Sequence, residues 1–88
     1  MSRIWFITGS SRGLGRSITV AALRAGDRVV ATARNPKKLD DLVAEYGEAV
    51  YPVALDVTNN QQVLEAVDAA VKRFGRLDVV VNNAGYGD

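Results

Sequence analysis

The chain has 88 residues, of which 48% are hydrophobic, and its formal net charge is +1. This length suits one small domain, and the near-neutral charge implies no general attraction to nucleic acid or to a membrane surface. The sequence has no histidine, no cysteine, no plausible cluster of metal ligands and no apolar segment long enough to span a membrane. We therefore expect one cytoplasmic domain over residues 1–88, without a metal, nucleic acid or membrane as partner.

A glycine-rich turn follows the first apolar run. Residues 4–7 are apolar without alternation, as in a parallel strand buried on both faces. The turn, TGSSRGLG over residues 8–15, has the glycine spacing G-x-x-x-G-x-G. Glycines let the backbone approach a ligand closely, and the N-terminus of a following helix offers unpaired N–H groups to a diphosphate. We interpret residues 8–15 as a phosphate-binding turn between a strand and a helix.

Other glycine-rich motifs fit this turn less well. A Walker A loop needs a glycine where Ser10 stands and a lysine where Arg16 stands. The common dinucleotide fingerprint G-x-G-x-x-G does not match either. A glycine-rich turn without a ligand remains the alternative, and only the other segments of the chain favour ligand binding over it.

A helix, a strand and a second helix follow the turn. The first helix is predicted to end at Gly26, and residues 28–33 form the second strand. Asn35 followed by Pro36 predicts the start of the second helix, and Gly47 ends it. The residues predicted to face inward are Leu14, Ile18, Ala21, Ala22 and Ala25 in the first helix and Leu39, Leu42, Val43 and Tyr46 in the second.

The second half of the chain repeats this alternation. Residues 49–55 predict a third strand, in which Pro52 indicates a sheet edge. Thr58 with Gln61 predicts a capping box for a third helix that ends at Gly75, and residues 77–81 predict a fourth strand. The third helix is expected to face inward with Val63, Leu64, Val67, Ala70, Val71 and Phe74.

Alternating strands and helices with short connections predict an α/β fold. We expect a Rossmann-type, doubly wound parallel sheet with strand order 3-2-1-4, truncated after the fourth strand. The first two helices then cover one face of the sheet and the third helix covers the other. Ligands bind such sheets at the carboxyl ends of the strands, beside the reversal between strands one and four. The segments expected there are residues 8–15, Arg34, residues 56–57 and residues 82–85.

With these segments in place, the chain resembles the short-chain dehydrogenase/reductase family. The family's cofactor turn TGxxxGxG corresponds to residues 8–15, its acidic residue after the third strand to Asp56, and its NNAG motif to residues 82–85. The resemblance implies an oxidoreductase that transfers a hydride between a nicotinamide dinucleotide and a small carbonyl or alcohol substrate. It covers essentially the whole chain.

The resemblance also implies a role for individual residues. Arg34 is expected at the adenosine ribose, Asp56 and Val57 at the adenine, and Asn82 in a structural tie between the fourth strand and its neighbours. The cofactor turn is expected to hold the diphosphate with Gly9, Ser10, Ser11, Arg12, Gly13 and Leu14, Gly15 completing the turn, and the far side of the cofactor is expected to meet Asn83, Ala84 and Gly85.

The end of the second strand predicts the choice of cofactor. An acidic residue there would bind the ribose 2′-hydroxyl and repel a 2′-phosphate, but Ala33 occupies this position. Arg34 follows it, and Arg12 comes from the glycine turn. We therefore expect these two guanidinium groups to flank a 2′-phosphate on the ribose. We therefore predict NADP rather than NAD. A solvated surface position is the alternative for each arginine, and it is the role expected for Lys37, Lys38 and Lys72.

The family's catalytic serine, tyrosine and lysine have no counterpart in the 88 residues. Val50 stands four residues after Tyr46, Leu55 four residues after Tyr51, and Tyr86 is two residues from the end. We expect an inactive cofactor-binding half, whose substrate binds only in a longer form. The alternatives are a non-catalytic dinucleotide-binding or interaction fragment, and an incomplete product without a stable fold. The bare edge of the fourth strand, residues 79–81, is expected to favour self-association.

Overall fold

In the computed structural model, which describes residues 2–83, the strands form one parallel sheet. The strands of this described part are β1 (Ile4–Ile7), β2 (Arg28–Ala33), β3 (Val50–Ala54) and β4 (Val79–Val81). Their order is β3-β2-β1-β4, and each neighbouring pair is parallel. The predicted Rossmann-type order is therefore confirmed. Pro52 lies in the edge strand β3, where its missing N–H interrupts no pairing on the outer side.

Helices cover both faces of this sheet. Those in residues 2–83 are α1 (Gly13–Arg24), α2 (Asp40–Tyr46) and α3 (Asn60–Phe74), with short 3₁₀ helices at Pro36–Leu39 and Gly47–Ala49. The side chain of Asn35 accepts a hydrogen bond from the amide of Lys37 at 3.1 Å, so Asn35 is a helix cap as predicted. The segment that it caps is the 3₁₀ helix Pro36–Leu39, however, and α2 begins only at Asp40. None of the helices in this part of the chain is long and apolar enough to cross a bilayer.

The sheet separates two hydrophobic cores. The core under α1 and α2 has as its buried members Ile7, Ala22, Leu23, Val29, Ala31, Ala33, Leu39, Leu42 and Val50. The core under α3 has Phe6, Val30, Leu55, Ala66 and Ala70. Neighbouring residues of a strand point to opposite faces, so that Phe6 and Ile7 belong to different cores. The predicted distribution of helices over the two faces is confirmed.

The inward face predicted for α1 is confirmed for Ala22, which is buried, and for Ile18, which packs against the core, and it is wrong at the other three positions. Leu14 is 66% exposed, and Ala21 and Ala25 are exposed as well. The buried residues of α1 are Gly15, Thr19, Ala22 and Leu23, of which only Ala22 was predicted to face inward. The Thr19 hydroxyl donates to the Gly15 carbonyl at 2.7 Å, so that a polar residue is buried with its donor satisfied. A stripe defined by apolar residues alone misses such a face.

The start and the face of α3 also differ from the prediction. The cap is Asn59, whose side chain accepts from the Gln62 amide at 3.2 Å, and not the pair Thr58 and Gln61. Leu64 and Val71 are 66% and 40% exposed, while the small residues Ala66 and Ala70 lie against the sheet. The inward positions predicted for Val63, Val67, Ala70 and Phe74 are confirmed, since all four lie in or against the core under α3, and only Leu64 and Val71 are wrong.

Candidate dinucleotide site

The glycine turn has the backbone conformation that its spacing predicts. Gly9 and Gly13 have φ angles of 64° and 62°, in the left-handed region that disfavours residues with a Cβ. A Cβ on Gly13 would meet no atom within 4 Å, so that the backbone conformation, not space, favours glycine at this position. The turn therefore reverses the chain between the end of β1 and the start of α1.

Gly15 holds the start of α1 against two other segments. A Cβ on Gly15 would lie 1.9 Å from the carbonyl oxygen of Gly9 and 2.6 Å from Nδ2 of Asn83. Only a residue without a side chain fits at this distance. The helix N-terminus, the turn and the end of β4 thus meet at one place, as expected for the carboxyl end of a doubly wound sheet.

Ser10 fixes the turn on the sheet. Its side chain is buried and donates to the Ile7 carbonyl at 2.9 Å, while its amide donates to the Thr32 carbonyl at 2.8 Å. Both donors of Ser10 are therefore engaged within the protein. Of the residues expected to hold a diphosphate, Ser10 acts by supporting the turn.

Thr8 connects the turn to the end of β4. Its hydroxyl accepts a hydrogen bond from the Asn83 amide at 2.8 Å and lies 3.2 Å from Oδ1 of Asn82, to which it donates. Its amide donates to the Val81 carbonyl at 3.0 Å. This geometry agrees with a structural tie at Asn82, and sequence reasoning missed the part played by Thr8. Ala84 and Gly85 lie outside the described residues.

Three cationic side chains line one cavity beside the turn. The cavity measures about 230 Å³ and is lined by Ser11, Arg12, Arg34, Asn35 and Lys38. Arg12 and Arg34 are thus brought together as predicted, although 21 residues stand between them in the sequence. Lys38, which was predicted to have only a surface role, is exposed but lines the same cavity. No sequence signal distinguishes Lys38 from the adjacent Lys37.

Asp56 follows β3, near enough to Arg34 for the two charges to interact. Its carboxylate accepts from the hydroxyl of Thr58 at 2.7 Å and from the Thr58 amide at 3.0 Å. These hydrogen bonds, with a smaller contribution from the charge of Arg34, lower the pKa of Asp56. The next residue, Val57, packs against the core under α3 and is partly buried. An ionised carboxylate therefore stands at this end of β3.

Known proteins are similar over nearly the whole chain. The family model for short chain dehydrogenases matches residues 3–88. Oxidoreductase BOA17 of Botryotinia fuckeliana is 62% identical over 89 residues, which cover 100% of this chain and 32% of that protein. A short-chain dehydrogenase from Streptomyces avermitilis superimposes with a TM-score of 0.93 and 44% identity, over 96% of this chain and 31% of that one.

Two other solved structures contain a bound cofactor. A metagenomic short-chain oxidoreductase in complex with NADP has a TM-score of 0.88 and 34% identity, over 99% of this chain and 41% of that one. The 3-ketoacyl-(acyl-carrier-protein) reductase from Brucella melitensis, complexed with NADH, has a TM-score of 0.81 and 29% identity, over 89% of this chain and 32% of that one. The present chain thus spans about a third of the length of the relatives that it matches.

Proposed function

This chain belongs to the short-chain dehydrogenase family, and we propose that it forms the NADP-binding part of an oxidoreductase of that family. When bound, the nicotinamide supplies or accepts the hydride, and the chain's own residues hold the cofactor's phosphates and adenosine. The observation that carries the choice of NADP is the cavity lined by Arg12 and Arg34. The class of substrate that the family implies is a carbonyl compound or an alcohol.

The start of α1 supports binding of the diphosphate. Its N-cap residue, Arg12, makes no side-chain capping hydrogen bond, and the first turn of the helix contains no acidic residue. The amides at a helix N-terminus need acceptors, and the helix dipole favours an anion there. A diphosphate against Gly13 and Leu14 meets both requirements, with Gly9 shaping the turn.

The end of β2 supports a 2′-phosphate on the ribose. Ala33 is buried and uncharged, so that no carboxylate at this position repels a phosphate. Arg12 and Arg34 supply guanidinium groups, which bind phosphate oxygens through pairs of hydrogen bonds. Similar folds bind NADP in one protein and NADH in another, so that the fold alone does not choose between the two cofactors. In dinucleotide-binding folds the side chains near the end of the second strand contact the ribose and favour one or the other.

Calorimetric titration of the chain with NADP and with NAD at low salt tests this proposal. Two charge-assisted hydrogen bonds of about 1.5–3 kcal/mol each give a preference for NADP of at least roughly a hundredfold before screening by solvent. Arg34→Ala should remove much of the preference and leave NAD binding unchanged. Arg24→Ala, which removes the same charge from the far end of α1, is the matched control. Equal affinities for the two dinucleotides in the unmodified chain would contradict the assignment.

The 88 residues by themselves are expected to catalyse no reduction or oxidation. They lack the family's tyrosine and lysine pair, and general acid–base catalysis contributes about 100- to 10,000-fold in rate. Oxidation of NADPH in the presence of carbonyl compounds should therefore proceed at the rate in buffer. A rate well above buffer that disappears with Gly13→Trp would contradict this expectation.

A further inference from the structure

We propose that Lys38 is a third cationic ligand of the 2′-phosphate. It lines the same cavity as Arg12 and Arg34. This inference rests on the proposed function, and it assigns a specificity role to a residue that the family's motifs do not include. Lys38 lines the 230 Å³ cavity together with Arg12, Arg34, Ser11 and Asn35. The cavity therefore receives cationic side chains from the glycine turn, the end of β2 and the following 3₁₀ helix.

The local backbone explains why Lys38 reaches the cavity. Residues three apart in a 3₁₀ helix lie directly above each other. The amide of Lys38 donates to the carbonyl of Asn35 at 3.1 Å, and Asn35 and Lys38 both line the cavity. Lys37 is one position away on this tight helix and is not among the cavity's lining residues. The two adjacent lysines therefore have different surroundings although both are exposed.

Two contacts fix the position of this 3₁₀ helix. The Asn35 side chain accepts from the amide of Lys37, which caps the helix at its start. Leu39, its last residue, is fully buried in the core under α1 and α2. The backbone on either side of Lys38 is thus anchored, and its flexible side chain has to order only itself to reach a phosphate.

The negative charge of Asp56 near Arg34 is the reason why a third cation, Lys38, would strengthen phosphate binding. Arg34 lies near enough to Asp56 for its charge to contribute to the lowered pKa of that carboxyl, so that the negative charge of Asp56 partly offsets the positive potential of Arg34. A 2′-phosphate carries a charge between about −1.5 and −2, like other phosphate monoesters. The ammonium group of Lys38 supplies further positive charge and three donors beside the two guanidinium groups.

The test compares the two lysines with a probe that isolates the phosphate. Binding of 2′,5′-ADP and of 5′-AMP to the 88-residue chain is measured by calorimetry, because the probes differ only in the 2′-phosphate. Lys38→Ala should weaken 2′,5′-ADP about threefold to tenfold and leave 5′-AMP unchanged. Lys37→Ala removes the same charge one residue away and should change neither affinity by more than about twofold. Lys38→Arg should retain the tight binding of 2′,5′-ADP.

Each outcome separates this inference from the proposed function. If Lys38→Ala and Lys37→Ala bind 2′,5′-ADP equally well, the role of Lys38 is wrong while the NADP site stands. If the unmodified chain binds 2′,5′-ADP no tighter than 5′-AMP, or binds neither, the proposed function fails and the role of Lys38 fails with it. Circular dichroism of each variant establishes that the fold is retained.

Discussion

The indole N–H of Trp5 donates a hydrogen bond of 2.9 Å to the carboxylate of Asp27, which also accepts from the amide of Arg3 at 3.0 Å. Asp27 thereby ties the start of β1 to the loop that precedes β2. The hydrogen bonds from Arg3 and Trp5 are stronger to an ionised carboxylate than to a neutral carboxyl group, and they therefore lower the pKa of Asp27 below its usual 3.8.

Acid is expected to weaken this tie. A carboxyl group whose pKa is lowered by folding contributes stability above its unfolded pKa, and this contribution is lost as the pH falls through the folded value. The free energy of unfolding should therefore decrease as the pH falls below about 4, and Asp27→Asn should make this decrease smaller. Urea unfolding at pH 7 and pH 3, followed by the fluorescence of Trp5, the chain's one tryptophan, measures both effects. The exposed Asp40→Asn is the control, and an equal effect of the two variants would contradict the role of Asp27.

Gly15→Ala is expected to destabilise the fold and to abolish dinucleotide binding. The new methyl group would overlap the Gly9 carbonyl, a backbone atom that cannot rotate away. Overpacking of this kind costs about 1–3 kcal/mol, and here it also displaces the turn. Ser17→Ala, an exposed change in the same helix, should alter the free energy of unfolding by less than about 0.5 kcal/mol. A Gly15→Ala variant with unchanged stability and binding would show that the turn does not need this contact.

Thr8→Val should loosen the end of β4 from the glycine turn. Valine has nearly the same shape as threonine, but it cannot accept from the Asn83 amide or donate to Asn82. Leaving these groups without their partner costs about 1–3 kcal/mol in the free energy of unfolding. Chemical unfolding measures this cost. If Thr8→Val is as stable as Ser17→Ala, the hydroxyl contributes nothing to the tie.

The chain is expected to associate with itself as its concentration rises. Val80 pairs with Phe6 on the face that α3 covers, yet it is 61% exposed, and β4 is an edge strand in the described sheet. Leu64 and Val71 lie seven residues apart on one side of α3 and are also exposed. Exposed apolar residues beside an unpaired strand edge favour pairing with another chain.

Sedimentation over a range of concentrations measures this association. Replacing both Leu64 and Val80 with lysine should lower the average mass at high concentration, because charge opposes burial of this surface. Leu14→Lys is the matched control, since Leu14 and Leu64 are equally exposed at 66%. A compact monomer at every concentration in the unmodified chain would contradict the prediction.

The sequence by itself determined the strand order and the conformation of the glycine turn. The order follows from the alternation of strands and helices with short right-handed crossovers, and Pro52 alone assigned β3 to an edge. The glycine spacing determined the turn, because positive φ angles and the contact at Gly15 tolerate no side chain. These features depend on local geometry and on rules that any parallel sheet obeys.

Tertiary structure decided which side chains of each helix face inward and which reach the site. Apolar periodicity placed Leu64 inside, but the alanines of α3 pack more closely on the sheet. It also could not show that Thr19 is buried, since its hydroxyl finds a partner only within the folded helix. Lys38 and Lys37 are indistinguishable as letters in the sequence. Only the 3₁₀ geometry after Asn35, and the positions of Arg12 and Arg34 across the cavity, separate the lysine beside the candidate phosphate site from its neighbour.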